Sequence, residues 1–181
     1  MNLPNYITLF RLFITPFFFT VLVSYEPGKE SNRLAALALF ALASLTDALD
    51  GFIARVTKSR TELGRFLDPL ADKLLLVTGY IGLLFVPALA YRPPLWITVT
   101  IIFRDFFIIA GLAVIFLMTG RVRVDPNLLG KFTTAFQMIT LIAILLNWNF
   151  SVLLWNATAV LTILSCVVYF ARELRRLSLP T

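Results

Sequence analysis

Apolar residues run along this chain in long blocks separated by short polar breaks. The blocks cover residues 7–24, 33–54, 62–86, 95–119, 128–146 and 150–170. Each is close to the roughly twenty residues a helix needs to cross about 30 Å of hydrocarbon. The breaks carry turn chemistry. Pro27 and Gly28 sit among charges of both signs, Pro87 to Pro94 brackets another break, and Asn147-Trp148-Asn149 forms the last. The pattern predicts an all-α integral membrane protein. Six transmembrane helices form one bundle, in a single membrane domain over residues 1–181, with a short N-terminal interfacial segment over residues 1–6. Pro4 is placed to open the first helix.

Composition strengthens that picture. Hydrophobic residues make up 59% of the chain, against roughly 45–50% in soluble domains. The net charge of +6 raises nucleic acid as a partner. The distribution argues against it, because the basic residues flank apolar runs instead of forming a stripe. They read as topology signals and as attraction to anionic headgroups. Arg55, Lys58 and Arg60 fill the second connection, Arg121 and Arg123 the fourth, and Arg172, Arg175 and Arg176 the tail. The first, third and fifth connections have little or no positive charge. A multi-pass protein of the cell membrane follows, with both termini and the second connection on the cytoplasmic side. The first 25 residues lack a cleavage pattern and read as retained. The single cysteine, Cys166, reads as a packing residue within an apolar run. With no histidine in the chain, a general base must be a carboxylate, a lysine or another group.

The acidic residues are unevenly placed. Of ten in the chain, five lie between residues 47 and 72, four of them aspartates, which asks for a shared cation or a chemical task. The stretch reads Asp47-x-x-Asp50-Gly51-x-x-Ala54-Arg55, eight residues, then Gly64-x-x-x-Asp68-x-x-x-Asp72. Spacings of three and four put each pair on one helix face. The short connection makes the two helices antiparallel neighbours. Four carboxylates meeting there repel one another unless a cation is shared, and an all-oxygen set favours Mg²⁺ or Mn²⁺ over zinc. Two ions about 4 Å apart suit four carboxylates. Gly51 and Gly64 allow close approach of a ligand or helix. Arg55 suits a phosphate oxygen, and Thr61 adds a hydroxyl. The plainer alternative is a set of interfacial ion pairs with Arg55, Arg65 and Lys73. Near the N-terminus, Asn5, Thr8 and Arg11 share a face. Either Arg11 snorkels to headgroups, or this face meets a substrate headgroup.

The Asp47–Asp72 pattern resembles the signature of the CDP-alcohol phosphotransferase family at every defined position, and six-helix hydropathy covers the rest of the chain. The resemblance implies a homodimeric six-helix enzyme with a polar cavity facing the cytoplasm. It implies transfer of a phosphatidyl group from CDP-diacylglycerol to an alcohol, with release of CMP, in phospholipid biosynthesis. Carried over by position, Asp47, Asp50, Asp68 and Asp72 hold the divalent metals, and Asp72 is also the base for the acceptor hydroxyl. Gly51, Arg55, Thr61 and Gly64 contact the CDP part. The Leu-Pro-Asn-x-x-Thr-x-x-Arg pattern resembles family members too, which places Asn5 and Thr8 near the nucleotide-lipid.

The signature does not name the acceptor. Arg104, Arg121 and Lys131 are the acceptor-binding candidates, with Asp105 and Arg123 beside them. A cationic cluster suits a phosphorylated acceptor such as glycerol 3-phosphate. Gly130-Lys131-x-Thr133-Thr134-x-x-Gln137 resembles the matching segment of the branch that uses glycerol 3-phosphate. Thr133 in place of a lysine and Asp105 in place of a glutamate resemble the cardiolipin synthase branch, whose acceptor is phosphatidylglycerol. The reading favours glycerol 3-phosphate. Arg104 in mid-membrane alternatively forms an ion pair with a carboxylate on another helix, neighbouring Asp105 being expected to point elsewhere. A small cation transporter with buried aspartates is the reading from a different class.

Overall fold

The computed structural model describes the backbone of residues 3–56, 62–119 and 128–178, and the side chains of residues 7–46, 71–108, 110 and 128–172. The helices are α1 (Leu3–Val23), α2 (Glu30–Val56), α3 (Glu62–Leu84), α4 (Leu95–Thr119), α5 (Leu128–Leu145) and α6 (Ser151–Ser178). No strand occurs among the described residues. The segment expected to be interfacial runs into α1 without a break. Pro4 lies in the first turn, where its missing N–H removes no helical bond. Helix α6 outlasts its apolar pattern and ends at Ser178. Its extension holds good helix formers such as Ala171, Arg172, Glu173, Leu174 and Arg175. Among the described residues, Leu128–Leu145 and Ser151–Arg172 are long and apolar enough to cross a membrane, and Ile7–Val23 is a shorter apolar helix.

The chain divides into two compact units. The first comprises Met1–Arg92 with Leu141–Asn149. In it, α1 packs along both α2 and α3. Phe18 and Leu22 of α1 are fully buried with Ala36 and Phe40 of α2 and Leu76, Tyr80 and Leu83 of α3. Each set recurs at three- or four-residue spacing, so each helix offers one face. The Phe18 and Phe40 rings lie 5.5 Å apart in a tilted pair. On α3, Gly79 and Gly82 permit this closeness. A Cβ at Gly82 would sit 2.6 Å from Leu22 Cδ2, and one at Gly79 would collide with Leu141 Cδ1.

One end of this unit is tied by polar contacts. Glu26 to Lys29 forms a turn closed by the Lys29 N–H on the Glu26 carbonyl at 3.0 Å. Pro27 presets φ, and Gly28 takes φ 90°, as the third residue of a type II turn requires. Arg33 Nε donates to Glu30 at 2.7 Å, and its Nη1 donates to the Leu145 carbonyl at the end of α5. A cation there complements the helix dipole. The Tyr25 hydroxyl donates to Glu30 at 2.8 Å. Arg33 first, then Tyr25, holds the Glu30 carboxyl below the usual carboxylate range, and Glu30 in turn pushes the Tyr25 hydroxyl up. Helix α5 stops at a left-handed Asn147, φ 58°. The Trp148 N–H reaches the Ala143 carbonyl and the Asn147 N–H reaches Ile144, which is a Schellman cap built on asparagine.

The second unit comprises Pro93–Thr140 with Phe150–Thr181. Helix α4 packs on α6, and α5 meets α6 through a polar seam. Thr140 and Thr158 share a hydrogen bond of 2.7 Å. Gln137 donates to Thr162 at 3.4 Å, and Thr133 donates to the Leu161 carbonyl at 3.3 Å. Thr140, late in α5, meets Thr158, while the earlier Gln137 and Thr133 meet the later Thr162 and Leu161, so this stretch is antiparallel. Thr133, Gln137, Thr140, Thr158, Thr162 and Ser165 are all buried, while Val152, Leu153, Val160, Ile163, Leu164 and Val167 of α6 are exposed. Polar groups inward and aliphatic groups outward is the arrangement hydrocarbon demands, with interhelical hydrogen bonds satisfied inside.

Candidate active site

The four signature aspartates fall on two helices of the first unit. Asp47 and Asp50 lie towards the end of α2, and Asp68 and Asp72 in the first half of α3. Gly51 and Arg55 follow on α2, and Gly64 opens α3. Of the aspartates, Asp72 has a described side chain. Thr61, Arg121 and Arg123 lie outside the described residues, as do the side chains of Asn5, Asp47, Asp50, Arg55 and Asp68. Among the described residues, no three His, Cys, Asp or Glu side chains converge on a point that could hold a metal.

Asp72 is engaged from α1. Arg11 Nη1 donates to Asp72 Oδ1 in an ion pair between helices sixty-one positions apart in sequence. The Arg11 side chain is 0% exposed and that of Asp72 is 27% exposed. The snorkelling expectation for Arg11 is therefore corrected: the side chain turns inward. Helix α1 is built for this. Thr8, Arg11 and Thr15 form a buried polar stripe, while Phe10, Phe13 and Phe17 on the same helix are exposed. A helix whose outer surface is phenyl rings turns its polar face to its neighbours. Thr15 Oγ1 donates to the Arg11 carbonyl at 2.8 Å, which leaves the guanidinium to the carboxylate. Thr8, expected near the nucleotide-lipid, is fully buried on this stripe. One turn further along, Thr15, Pro16 and Phe19 of α1 and Leu74, Thr78 and Ile81 of α3 line an open apolar groove of about 360 Å³.

Two acceptor candidates with described side chains, Arg104 and Lys131, lie in the second unit. Arg104 and Asp105 are 5% and 3% exposed, and Arg104 Nη1 donates to Asp105 Oδ1 at 2.6 Å. Arg104 Nη2 also donates to Ser165 Oγ on α6 at 2.9 Å. This corrects the expectation that Asp105 points away and that the partner carboxylate sits on another helix. Adjacent helical residues diverge by about 100°, but a long guanidinium arm spans that angle when both groups must leave an apolar surface. Lys131, in the first turn of α5, is exposed. Thr133 donates to the Leu129 carbonyl at 2.7 Å and faces α6.

Sequence reasoning did not foresee the Arg11–Asp72 pair or the α5–α6 seam. Both left a signal. Arg11 is a cation inside an apolar block, three residues from Thr8 and four from Thr15. The seam residues repeat at spacings of four then three on both helices, 133-137-140 and 158-162-165.

These features define a membrane-type helical protein with an aspartate pair on each of two linked helices. The chain belongs to the CDP-alcohol phosphatidyltransferase family, whose model matches residues 1–169. It is 41% identical over 155 residues to the CDP-diacylglycerol--glycerol-3-phosphate 3-phosphatidyltransferase of Bacillus subtilis (strain 168), covering 81% of this chain and 77% of that protein. The protein of the same name in Escherichia coli (strain K12) is 35% identical over 178 residues, covering 94% and 93%. The probable phosphatidylglycerophosphate synthase of Mycobacterium tuberculosis (strain ATCC 25618 / H37Rv) is 35% identical over 180 residues, covering 96% and 82%.

Proposed function

We propose that this chain transfers the phosphatidyl group of CDP-diacylglycerol to glycerol 3-phosphate, releasing CMP and forming phosphatidylglycerophosphate. The observation that carries the proposal is the signature on α2 and α3 with Asp72 anchored by Arg11, in a chain matched almost end to end by relatives that bear that name. The apolar groove beside the pair supports an amphiphilic donor. Residues 1–181 form one membrane domain, all six helices cross the bilayer of the cell membrane, and both termini and the site face the cytoplasm. The basic connections support this orientation, and the phenyl and aliphatic outer surfaces support the membrane. The working form is a homodimer.

The donor set fits Mg²⁺ or Mn²⁺. Its described member, Asp72, supplies carboxylate oxygens, the hard donors these ions take, and its side chain is 27% exposed. Asp47, Asp50 and Asp68 complete the set. Bound divalent cations supply neutralisation of the diphosphate and of the leaving phosphate.

The chain's own groups do the rest. Gly51, Gly64, Thr61, Arg55 and Asn5 hold the CDP part, with Thr8 buried on α1. Arg104, Arg121 and Lys131 are the proposed contacts of the anionic acceptor; of these, Arg104 is buried and bonded to Asp105 and Ser165, and Lys131 is exposed. Asp72 takes the proton from the acceptor hydroxyl. The acceptor oxygen forms a bond to the phosphorus that carries diacylglycerol. The bond from that phosphorus to the bridging oxygen breaks, and CMP leaves with the electron pair. Placement supplies much of the rate, since aspartate is a weak base.

The test is CMP release by purified protein in mixed micelles with CDP-diacylglycerol, Mg²⁺ or Mn²⁺, and glycerol 3-phosphate. Release that needs all three components is expected. No release with any alcohol acceptor, combined with CDP-lipid-independent cation flux in vesicles, would move the chain to the transporter reading.

A further inference from the structure

The proposed reaction gives Arg11 no task, yet Arg11 is the largest fully buried side chain among the described residues. It is the one charged residue of α1 and contacts the carboxylate on which the reaction depends. An arginine enclosed at membrane depth is costly and is held there by a partner. Here the partner is Asp72 on α3. One guanidinium nitrogen, Nη1, meets one carboxylate oxygen, Oδ1, and the planar guanidinium limits the directions from which that contact can be made. The Arg11 side chain is 0% exposed and that of Asp72 is 27% exposed, so the pair lies at the edge of the buried interior. Arg11 therefore sets where the Asp72 carboxylate sits relative to α1. The backbone under Arg11 is itself pinned by Thr15. Fully buried Phe18 and Leu22, together with Gly82, hold α1 against α3.

We infer that Arg11 is a positioning residue: it aims the Asp72 carboxylate at the acceptor hydroxyl and has no direct contact with either substrate. The inference rests on the proposed function, in which Asp72 is the base. It makes α1 a working part of the site as well as a packing helix. A structural tie alone would lower yield, thermal midpoint and all kinetic parameters together. An aiming role lowers kcat and leaves substrate binding in place, because misplacement of a reacting group by about 1 Å costs on the order of a hundredfold.

The test begins with wild-type CMP release. Absence of that activity defeats the proposed function and leaves Arg11 out of consideration. With activity in hand, Arg11→Lys and Arg11→Gln are purified and compared for monodispersity, thermal midpoint, kcat and KM for both substrates. Mn²⁺ affinity is measured by electron paramagnetic resonance. The expected order of kcat is Arg above Lys above Gln, with Lys down by roughly tenfold and Gln by roughly a hundredfold. Both KM values and the Mn²⁺ affinity stay within about threefold of wild type, the change an intact binding site permits. If Gln does not fold, Lys decides alone, since it keeps the charge and loses the fork. The inference is overturned if folded Lys turns over at the wild-type rate. It is overturned if the loss appears in KM, or if Mn²⁺ affinity falls in step with kcat, which would make Arg11 a keeper of metal binding only.

Discussion

Asp72→Asn separates chemistry from folding more cleanly than any other single change. The amide has the shape of the carboxylate and keeps a carbonyl oxygen to accept the Arg11 hydrogen bond. What disappears is the charge. Two unit charges about 4 Å apart attract by about 4 kcal/mol at an effective dielectric of 20. The Asp72 side chain is 27% exposed and the hydrogen bond survives, so the net loss should be about 1–3 kcal/mol. A typical domain holds about 5–15 kcal/mol, so the variant folds. Its thermal midpoint drops by roughly 2–4 °C per kcal/mol at this size. Turnover behaves differently. Loss of a positioned general base costs about 10²–10⁴ in rate, or about 2.7–5.4 kcal/mol of barrier. The assay is CMP release under saturating CDP-diacylglycerol and glycerol 3-phosphate, beside a thermal melt of the same preparation. A folded variant within about tenfold of the wild-type kcat would remove Asp72 as the base, because no positioned base contributes so little.

Other expectations follow from the same geometry. Lys131→Ala should raise KM for glycerol 3-phosphate about tenfold, the scale of one charged hydrogen bond. KM for CDP-diacylglycerol should stay unchanged; equal shifts in both would take Lys131 away from the acceptor. Gly82→Leu should force α1 from α3, since even a Cβ comes within 2.6 Å of Leu22. Overpacking of that kind costs about 1–3 kcal/mol, and an unchanged melting temperature would show that the helices are not close there. The Glu30 carboxyl is held low by Arg33 and Tyr25, so its stabilising contribution is present above the ordinary glutamate pKa and lost as pH falls through the lowered one. Melting temperature should therefore decline on acidification below about pH 4.5, the ordinary glutamate range, and decline less steeply in Glu30→Gln. Identical acid limbs for the two proteins would count against the cluster.

The helices were legible because the apolar blocks are long and their breaks hold proline, glycine and charge. Helix α4 begins and ends where the pattern puts it, at Leu95 and Thr119. The placement of the aspartates on α2 and α3 was equally readable, since spacings of three and four speak only about one helix at a time. Partners across helices were not readable. The face shared by Thr8 and Arg11 is visible in the sequence, but whether it meets headgroups or Asp72 depends on how α1 packs on α3. Arg104 shows the converse. Local geometry argued that Asp105 points elsewhere, and shared burial brought the two together. The asparagine break after α5 was readable as a stop; its left-handed cap was not.

The central claim is the pairing of donor and acceptor. The most direct measurement offers purified protein CDP-diacylglycerol with ¹⁴C-glycerol 3-phosphate or with phosphatidylglycerol, and identifies the lipid product by mass spectrometry. The account predicts label in phosphatidylglycerophosphate, one CMP released for each lipid formed, and no cardiolipin. Cardiolipin from phosphatidylglycerol, with no label incorporated from glycerol 3-phosphate, would contradict it.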